Sequence, residues 1–499
     1  MATLSHLLSG LTTRQDNDTE VIVTGISLHS QQVRKGDVFF ACAKDTMTRQ
    51  KHIEQALEKG ASAIVIDPTI GDMAALSRSV AIYYVSALQQ HLSEIAGRFY
   101  QHPSHAMTVL AVTGTNGKTT VAYCVAHCLQ QAGRRCGFIG TLGQGELGKL
   151  IETGMTTPDP FAIQAVLAEL LQQGIKEVII EASSHALDQG RLDAIAIDTA
   201  ILTNLSRDHL DYHASLSDYA AAKQRLFTFT SLKNRVVNCQ DTLGQQLMAM
   251  PNQQTVLLTY GVDTAAMLTA TDYQVTASGI DFQLHYQQQH YRIHSSLSGQ
   301  FNMKNILAVI AALLTVAIPI QQAIRLIANC PAVPGRMIRY QMGQSANVII
   351  DYAHTPDALE QVLRTLHAEK HSGATLWCVF GCGGNRDHAK REQMGQIAEH
   401  YAQKVVVTSD NPRYEDPISI SQDILKGMLR PEEALVELDR KKAIAYSLGE
   451  ARKNDIILIA GKGHEQYQQY LDDKRPFSDA ACVCEYLGID LPQQQEGLC

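Results

Sequence analysis

No stretch of this chain is apolar for long enough to cross a membrane. The longest run, residues 306–320, ends around a proline and falls short of the ~20 residues a span requires, so it reads as one buried helix. A basic start followed by an apolar core is also missing from the opening residues MATLSH, so no secretory leader is expected. Positive charge is not in excess: 42 Lys and Arg stand against 50 Asp and Glu, a net charge of −8, which argues against a broad surface for nucleic acid or anionic lipid. The eleven cysteines show no paired metal-ligand spacing, and a chain of 499 residues needs no disulfide framework, so a reducing cytoplasm fits best. Cys124, His127 and Cys128 share one helical face, where ligation and plain packing are the two readings.

What is present is organised around TGTNGKTT at residues 113–120. Apolar residues 109–112 lead into it and a periodic segment, 121–129, follows, so the pattern predicts strand, glycine loop and helix. Such a loop holds phosphate. Gly114 and Gly117 let the backbone turn amides toward an anion, the helix start adds positive potential, Lys118 adds a charge, and Thr119 offers a hydroxyl to magnesium. The general pattern would place glycine at position 112, where this chain has Val112. A phosphate loop alone does not separate a motor, a switch, a kinase or a ligase.

The length predicts about three domains, with boundaries read here as 1–105, 106–335 and 336–499. In the first, strands at 21–23 and 37–41, a helix at 53–59 closed by Gly60, and a buried strand at 63–67 predict a small α/β unit; a helix at 88–100 and a polar linker at 101–105 follow. In the second, strands at 108–112, 176–180 and 199–202 alternate with helices, which predicts a parallel sheet with ligands at its carboxyl edge; hairpins at 265–294 and a helix at 302–315 complete it. In the third, strands at 347–351, 375–380, 404–408 and 455–459 each run into polar or glycine-rich loops, predicting a Rossmann-like sheet with four loops on one rim. The fold class is α/β throughout.

The segments TGTNGKTT, EASSHALDQGR (181–191), TNLSRDHLDYH (203–213), Ala222-Lys223, GQFNMKN (299–305), PGRM (334–337), DYAHTPDAL (351–359), FGCGGNRD (380–387) and AGKGHEQYQ (460–468) resemble, in this order, the Mur ligase family over nearly the whole chain. Within it they resemble the branch that adds meso-diaminopimelate to UDP-N-acetylmuramoyl-L-alanyl-D-glutamate. The resemblance implies an ATP-dependent amide ligase of peptidoglycan precursor synthesis, cytoplasmic and monomeric, working through an acyl phosphate with Mg2+.

By the same resemblance Gly114, Thr115, Asn116, Gly117, Lys118, Thr119, Thr120, Asn302, Asn305, Arg336, Asp351 and His354 hold ATP or link the domains, with hydrogen bonding at a helix start as the other reading of the two asparagines. Thr119 and Glu181 match contacts to a first magnesium, and His209 to a second. Lys223 falls where the family carries a lysine carbamate, N6-carboxylysine, and an exposed helix lysine is the alternative. Lys118, His209 and Lys223 would form the catalytic set. The UDP-sugar dipeptide would meet Leu28, Ser30, Asp45, Thr46, Met47, Thr156, Thr157, Ser183, Gln189 and Arg191. Diaminopimelate would meet Arg386, Asp410, Asn411, Pro412, Arg413, Gly461 and Glu465, with Arg413 taking its extra carboxylate and Glu465 its distal ammonium. The amino-terminal stretch departs from the family: its usual Asp-Ser-Arg appears as His29-Ser30-Gln31, and residues 43–49 replace a glycine-rich turn. A lysine-adding relative, a folylpolyglutamate synthetase-like ligase and a non-catalytic nucleotide switch are the competing readings.

Overall fold

Strands of near-continuous Val, Ile, Leu and Ala have no polar face to turn to water, so they assemble into sheets covered by helices on both sides. The computed structural model describes residues 2–16, 20–70, 80–251, 254–276, 279–341 and 346–491 and has three such sheets. The first orders its strands Thr12–Asp16, Ala81–Val85, Ala63–Ile66, Asp37–Ala41 and Gly25–Ser27, all parallel except the antiparallel Thr12–Asp16 edge. Its helix begins earlier than the periodicity indicates, at Thr46 rather than residue 53, because the Asp45 carboxylate caps Thr48 N at 2.8 Å.

The central sheet has ten strands. Its first in sequence, Thr108–Thr113, lies between Glu177–Glu181 and Thr199–Leu202, parallel to both. The chain therefore crosses to one side, returns, and continues to the other, which opens a crevice at the carboxyl end of Thr108–Thr113. The phosphate loop sits there. Strands Cys136–Gly140, Asn234–Asn238 and Val256–Val262, parallel members of this sheet, were not legible as separate strands. The expected hairpin is the antiparallel pair Gly279–Tyr286 and Gln289–Ser295, turned by Gln287 and Gln288 in the left-handed region.

The apolar run 306–320 is two helices, Gln300–Thr315 and Ile320–Ala328, because Ala317 takes a left-handed φ of 61° and Pro319 cannot continue the first. The first packs with Lys118–Gln131 over one face of the central sheet, burying Cys124 and Cys128 in the core; packing accounts for them. Pro160–Gln172 covers the other face, and Phe161 meets Phe40 of the first sheet edge-on at 5.0 Å. Among the described residues no helix is long and apolar enough to cross a membrane.

The third sheet runs Ile338–Tyr340, Asn347–Asp351, Ile456–Ala460, Leu376–Phe380, Lys404–Val407 and Leu435–Val436, parallel but for its first strand. Behind its rim, Arg440 and Asp479 form a fully buried two-pronged pair at 2.7 and 2.8 Å, and Arg440 also donates to Ala460 O at 2.9 Å, just before the Gly461 loop. Arg440→Met leaves a carboxylate buried alone and is expected to cost about 3–5 kcal/mol, measured by urea unfolding.

Candidate functional site

The phosphate loop holds its shape because two glycines leave room for neighbours. At Gly114, with φ 149°, a Cβ would lie 1.8 Å from Thr203 Oγ1, the hydroxyl that donates to Asn116 O at 2.6 Å. At Gly117, with φ 85°, a Cβ would meet Asn305 Oδ1 at 2.4 Å. Asn305 in turn donates to Asn302 Oδ1 at 2.8 Å, and Asn302 to Ser298 O at 2.7 Å. Both asparagines are buried behind the loop and line the same cleft. Lys118 Nζ donates to Gly114 O and Thr115 O at 3.0 and 2.9 Å, its charge disfavoured by burial and favoured by Glu181 and Asp208.

Thr119 Oγ1 donates to Glu181 Oε2 at 2.9 Å, Thr141 donates to the two Glu181 oxygens through its N–H at 2.9 Å and its hydroxyl at 3.1 Å, and Arg336 Nη2 reaches Thr119 Oγ1 at 3.2 Å from the linker to the third sheet. Burial raises the Glu181 carboxyl, against the pull of Lys118. Among the described residues no three His, Cys, Asp or Glu converge as a metal cage. One hydroxyl and one carboxylate are hard oxygen donors, the set with which Mg2+ is held when phosphate oxygens and water complete its shell; the residues fit that ion. Across the cleft His209, in a left-handed turn at φ 55°, lies 3.4 Å from buried Asp208.

Lys223 is not the exposed helix lysine of the alternative reading. It is 1% exposed and donates to Gly114 O at 2.7 Å, directly behind the phosphate loop. Burial first, then Lys118, moves it well below the usual lysine range, which favours the uncharged amine. The face of Tyr219 at 4.3 Å and the more distant Asp208 and Asp241 only partly oppose this.

On the central rim, Thr157 Oγ1 donates to Glu181 O at 2.6 Å, and Arg191 lays its fork on Gln189 Oε1 and Thr157 O at 2.7 and 2.6 Å. Thr156, Thr157, Ser183 and Arg191 line the cleft and Gln189 supports from behind. The amino-terminal candidates are not brought to it. Ser30 is buried on Gln55 at 2.9 Å, Leu28 packs on its own core, Asp45 caps a helix that Thr46 and Met47 begin, and Met47 points to solvent.

The third sheet closes the cleft. Asp351 accepts from Met337 N and Ala353 N at 2.8 Å each, pinning the linker, while Asn116 Nδ2 donates to Asp357 at 2.8 Å across the seam. Tyr352, His354, Arg386, Asp410, Asn411, Arg413, Gly461 and Glu465 face the phosphate loop around a space of about 940 Å³. Pro412 stays behind its neighbours, its carbonyl against Gly384. Glu465 already has a resident cation: buried Lys462 lies at 2.8 Å, and Asn411 Nδ2 at 2.9 Å. An incoming ammonium must share it.

Sequence reasoning missed Lys462, Thr141 and Gln468, whose buried amide donates to Ser409 O and Asp410 O at 3.2 and 3.0 Å. Lys462 and Gln468 stand inside a quoted motif; Thr141 had no local signal.

Burial holds four histidines around the cleft neutral, His185 and His354 down to about 4, His209 and His464 down to about 3. Unfolded, they take up protons near pH 6.5, so their stabilisation is complete above that value and is lost as pH falls toward the folded values. Between pH 7.5 and 5.5 His209, His354 and His464 each remove about 1 kcal/mol, and the more exposed His185 less. The fall in urea midpoint over this interval is expected to shrink in His354→Asn.

Residues 112–313 match the Mur ligase middle domain, and residues 335–463 match the Mur ligase, glutamate ligase domain. A protein of Pseudomonas putida named UDP-N-acetylmuramoyl-L-alanyl-D-glutamate–2,6-diaminopimelate ligase is 41% identical, covering 92% of this chain and 93% of its own. One of the same name from Xanthomonas oryzae pv. oryzae is 42% identical over 97% of each chain. A solved structure of a ligase of that name superposes with a TM-score of 0.66 at 35% identity, covering 93% of this chain and 95% of the other. Folylpolyglutamate synthase of Mycobacterium tuberculosis, at 17% identity and TM-score 0.64 over 81% of this chain and 96% of its own, shares the fold.

Proposed function

Because this chain belongs to the Mur ligase family, we propose that it is the ATP-dependent ligase that joins meso-diaminopimelate to the D-glutamate of UDP-N-acetylmuramoyl-L-alanyl-D-glutamate in peptidoglycan precursor synthesis. The relatives that carry this name at 41–42% identity match over nearly the whole chain. The observation that carries the reading is one cleft with a phosphate loop on one wall and, on the other, Arg386 and Arg413, two guanidinium groups with no carboxylate partner among the described residues in that pocket.

A carboxylate is a poor acyl donor because its leaving group would be oxide. In the first step a D-glutamate carboxylate oxygen bonds to the γ-phosphorus of ATP, and the bond to the β–γ bridging oxygen breaks with its electron pair leaving on ADP. The amine of diaminopimelate then attacks the acyl carbon, the carbon–oxygen bond to phosphate breaks, and the nitrogen gives up a proton as phosphate departs. Lys118 and the loop amides hold the phosphates, and the rest is positioning. Thr119 and Glu181, with His209 for a second ion, would hold magnesium, which when bound neutralises phosphate charge. Lys223 as a carbamate would add an anion beside them.

Thr156, Thr157, Ser183, Gln189 and Arg191 would receive the dipeptide end, with the uridine end held by the unit 1–105 through Leu28, Ser30, Asp45, Thr46 and Met47. The units 106–335 and 336–499 would hold ATP and the amino acid. A reducing cytoplasm suits the ten free thiols of the described residues.

Incubation with ATP, Mg2+, the UDP-sugar dipeptide and either diaminopimelate or lysine is expected to give the diaminopimelate product mass. A lysine product, or ATP hydrolysis indifferent to any amino acid, contradicts the reading.

A further inference from the structure

Two successive residues at the start of the helix Ala389–Tyr401 are buried cations, and the fold provides for them differently. Arg391 is 0% exposed and lies on Glu415 and Asp423 at 2.8 and 3.0 Å. Lys390 is 7% exposed and makes no hydrogen bond or ion pair with any described residue. It lines the cleft, where Arg391 does not. Its position in the first helical turn adds partial positive charge rather than relief. A cation turned into a cleft with no hydrogen-bond acceptor of its own leaves its donors open to a bound ligand. An anion resting in the cleft would supply the missing partner.

The groups facing Lys390 say where that anion sits. Asp208, buried on the opposite wall, and His354 line the same cleft as Lys390. The loop that carries Asp208 and His209 wraps the phosphate loop, since Thr115 N donates to Asn204 O at 2.8 Å and Thr115 Oγ1 to Ser206 O at 3.0 Å. The same loop meets the approach to the helix through Arg207 and Asp387 at 3.9 Å. The Lys390 ammonium and the phosphate loop therefore open onto one space from opposite units.

We propose that Lys390 is a catalytic residue of the ligase reaction, its ammonium resting on the γ-phosphoryl oxygens of ATP while that group passes to the substrate carboxylate. The proposal rests on the ligase reading given above. Charge on the phosphoryl oxygens must be matched as the bond to the bridging oxygen breaks and the bond to the carboxylate oxygen forms. Lys118 matches it from the central unit. Lys390 matches it only when the third unit is seated across the seam, which ties closure of the cleft to the chemical step.

The test uses the full chain as Lys390→Met and Lys390→Arg. For Lys390→Met, kcat is expected to fall on the order of 10²–10³-fold, the usual loss for one preorganised charge. Binding of an unreactive ATP analogue and the KM for diaminopimelate are expected to stay within about threefold of the parent. The Tm is expected to stay near that of the parent, because Lys390 makes no hydrogen bond or ion pair with any described residue. Lys390→Arg is expected to recover part of kcat. Exchange of 18O between the bridging and non-bridging positions of ATP, which reports reversible acyl phosphate formation, is expected to drop with kcat.

A parent-like kcat in Lys390→Met, a loss that tracks a lowered Tm, or a loss confined to analogue binding each overturns the proposal while the parent still makes product. A parent that makes no product overturns the ligase reading and this proposal with it.

Discussion

Arg413→Ala is expected to lower kcat/KM for diaminopimelate by about 2–5 kcal/mol, on the order of 30- to 5,000-fold, with the KM for ATP little changed. The guanidinium is half-buried, and its one hydrogen bond among the described residues, to Gly384 O at 2.8 Å, leaves other donors of its fork for a ligand in the cleft it lines. Burial first, then Arg386, disfavour its charge, Asp410 and Glu465 partly oppose them, and among the described residues the guanidinium is paired directly with no carboxylate. The extra carboxylate of diaminopimelate supplies one and lysine does not.

The backbone is set for this role at some cost. Arg413 has a left-handed φ of 54°, held by Arg413 N donating to Gln469 O at 3.0 Å and Leu471 N donating to Arg413 O at 2.7 Å. Initial rates with each substrate varied in turn check the expectation, and an equal loss toward ATP and diaminopimelate would contradict it.

Lys223→Ala is expected to reduce kcat by roughly 10²-fold or more, with bicarbonate or chloride restoring part of it. An uncharged amine can attack carbon dioxide, forming a nitrogen–carbon bond and releasing a proton, whereas an ammonium cannot. The environment that suppresses the Lys223 charge is therefore the one that carbamate formation needs. The resulting anion would stand beside Lys118 and His209, both of which already disfavour a positive Lys223 or feel it as a like charge. The native protein is expected to carry the mass of one carbon dioxide at mildly alkaline pH and to lose it on acidification. A variant with full activity, or a mass that never carries the adduct, would contradict this reading.

Sequence by itself determined the strand, loop and helix at 108–131, because the glycines, the lysine and the hydroxyl that make a phosphate cradle are neighbours in the chain and act through local backbone geometry. It determined the four rim loops of the third unit for the same reason: each follows its strand directly, and a parallel strand must end somewhere polar. It did not determine where charges lose their water. Whether Lys223 is solvated or buried, whether Arg386 and Arg413 meet a partner, and which of Lys390 and Arg391 is left without one depend on side chains far apart in sequence. The extra strands of the central sheet were likewise settled by pairing with distant elements. The amino-terminal residues show the converse, since Ser30 satisfies its hydroxyl on Gln55 and stays away from the cleft. Desolvation and charge compensation are properties of an assembled environment, and only the tertiary structure assembles it.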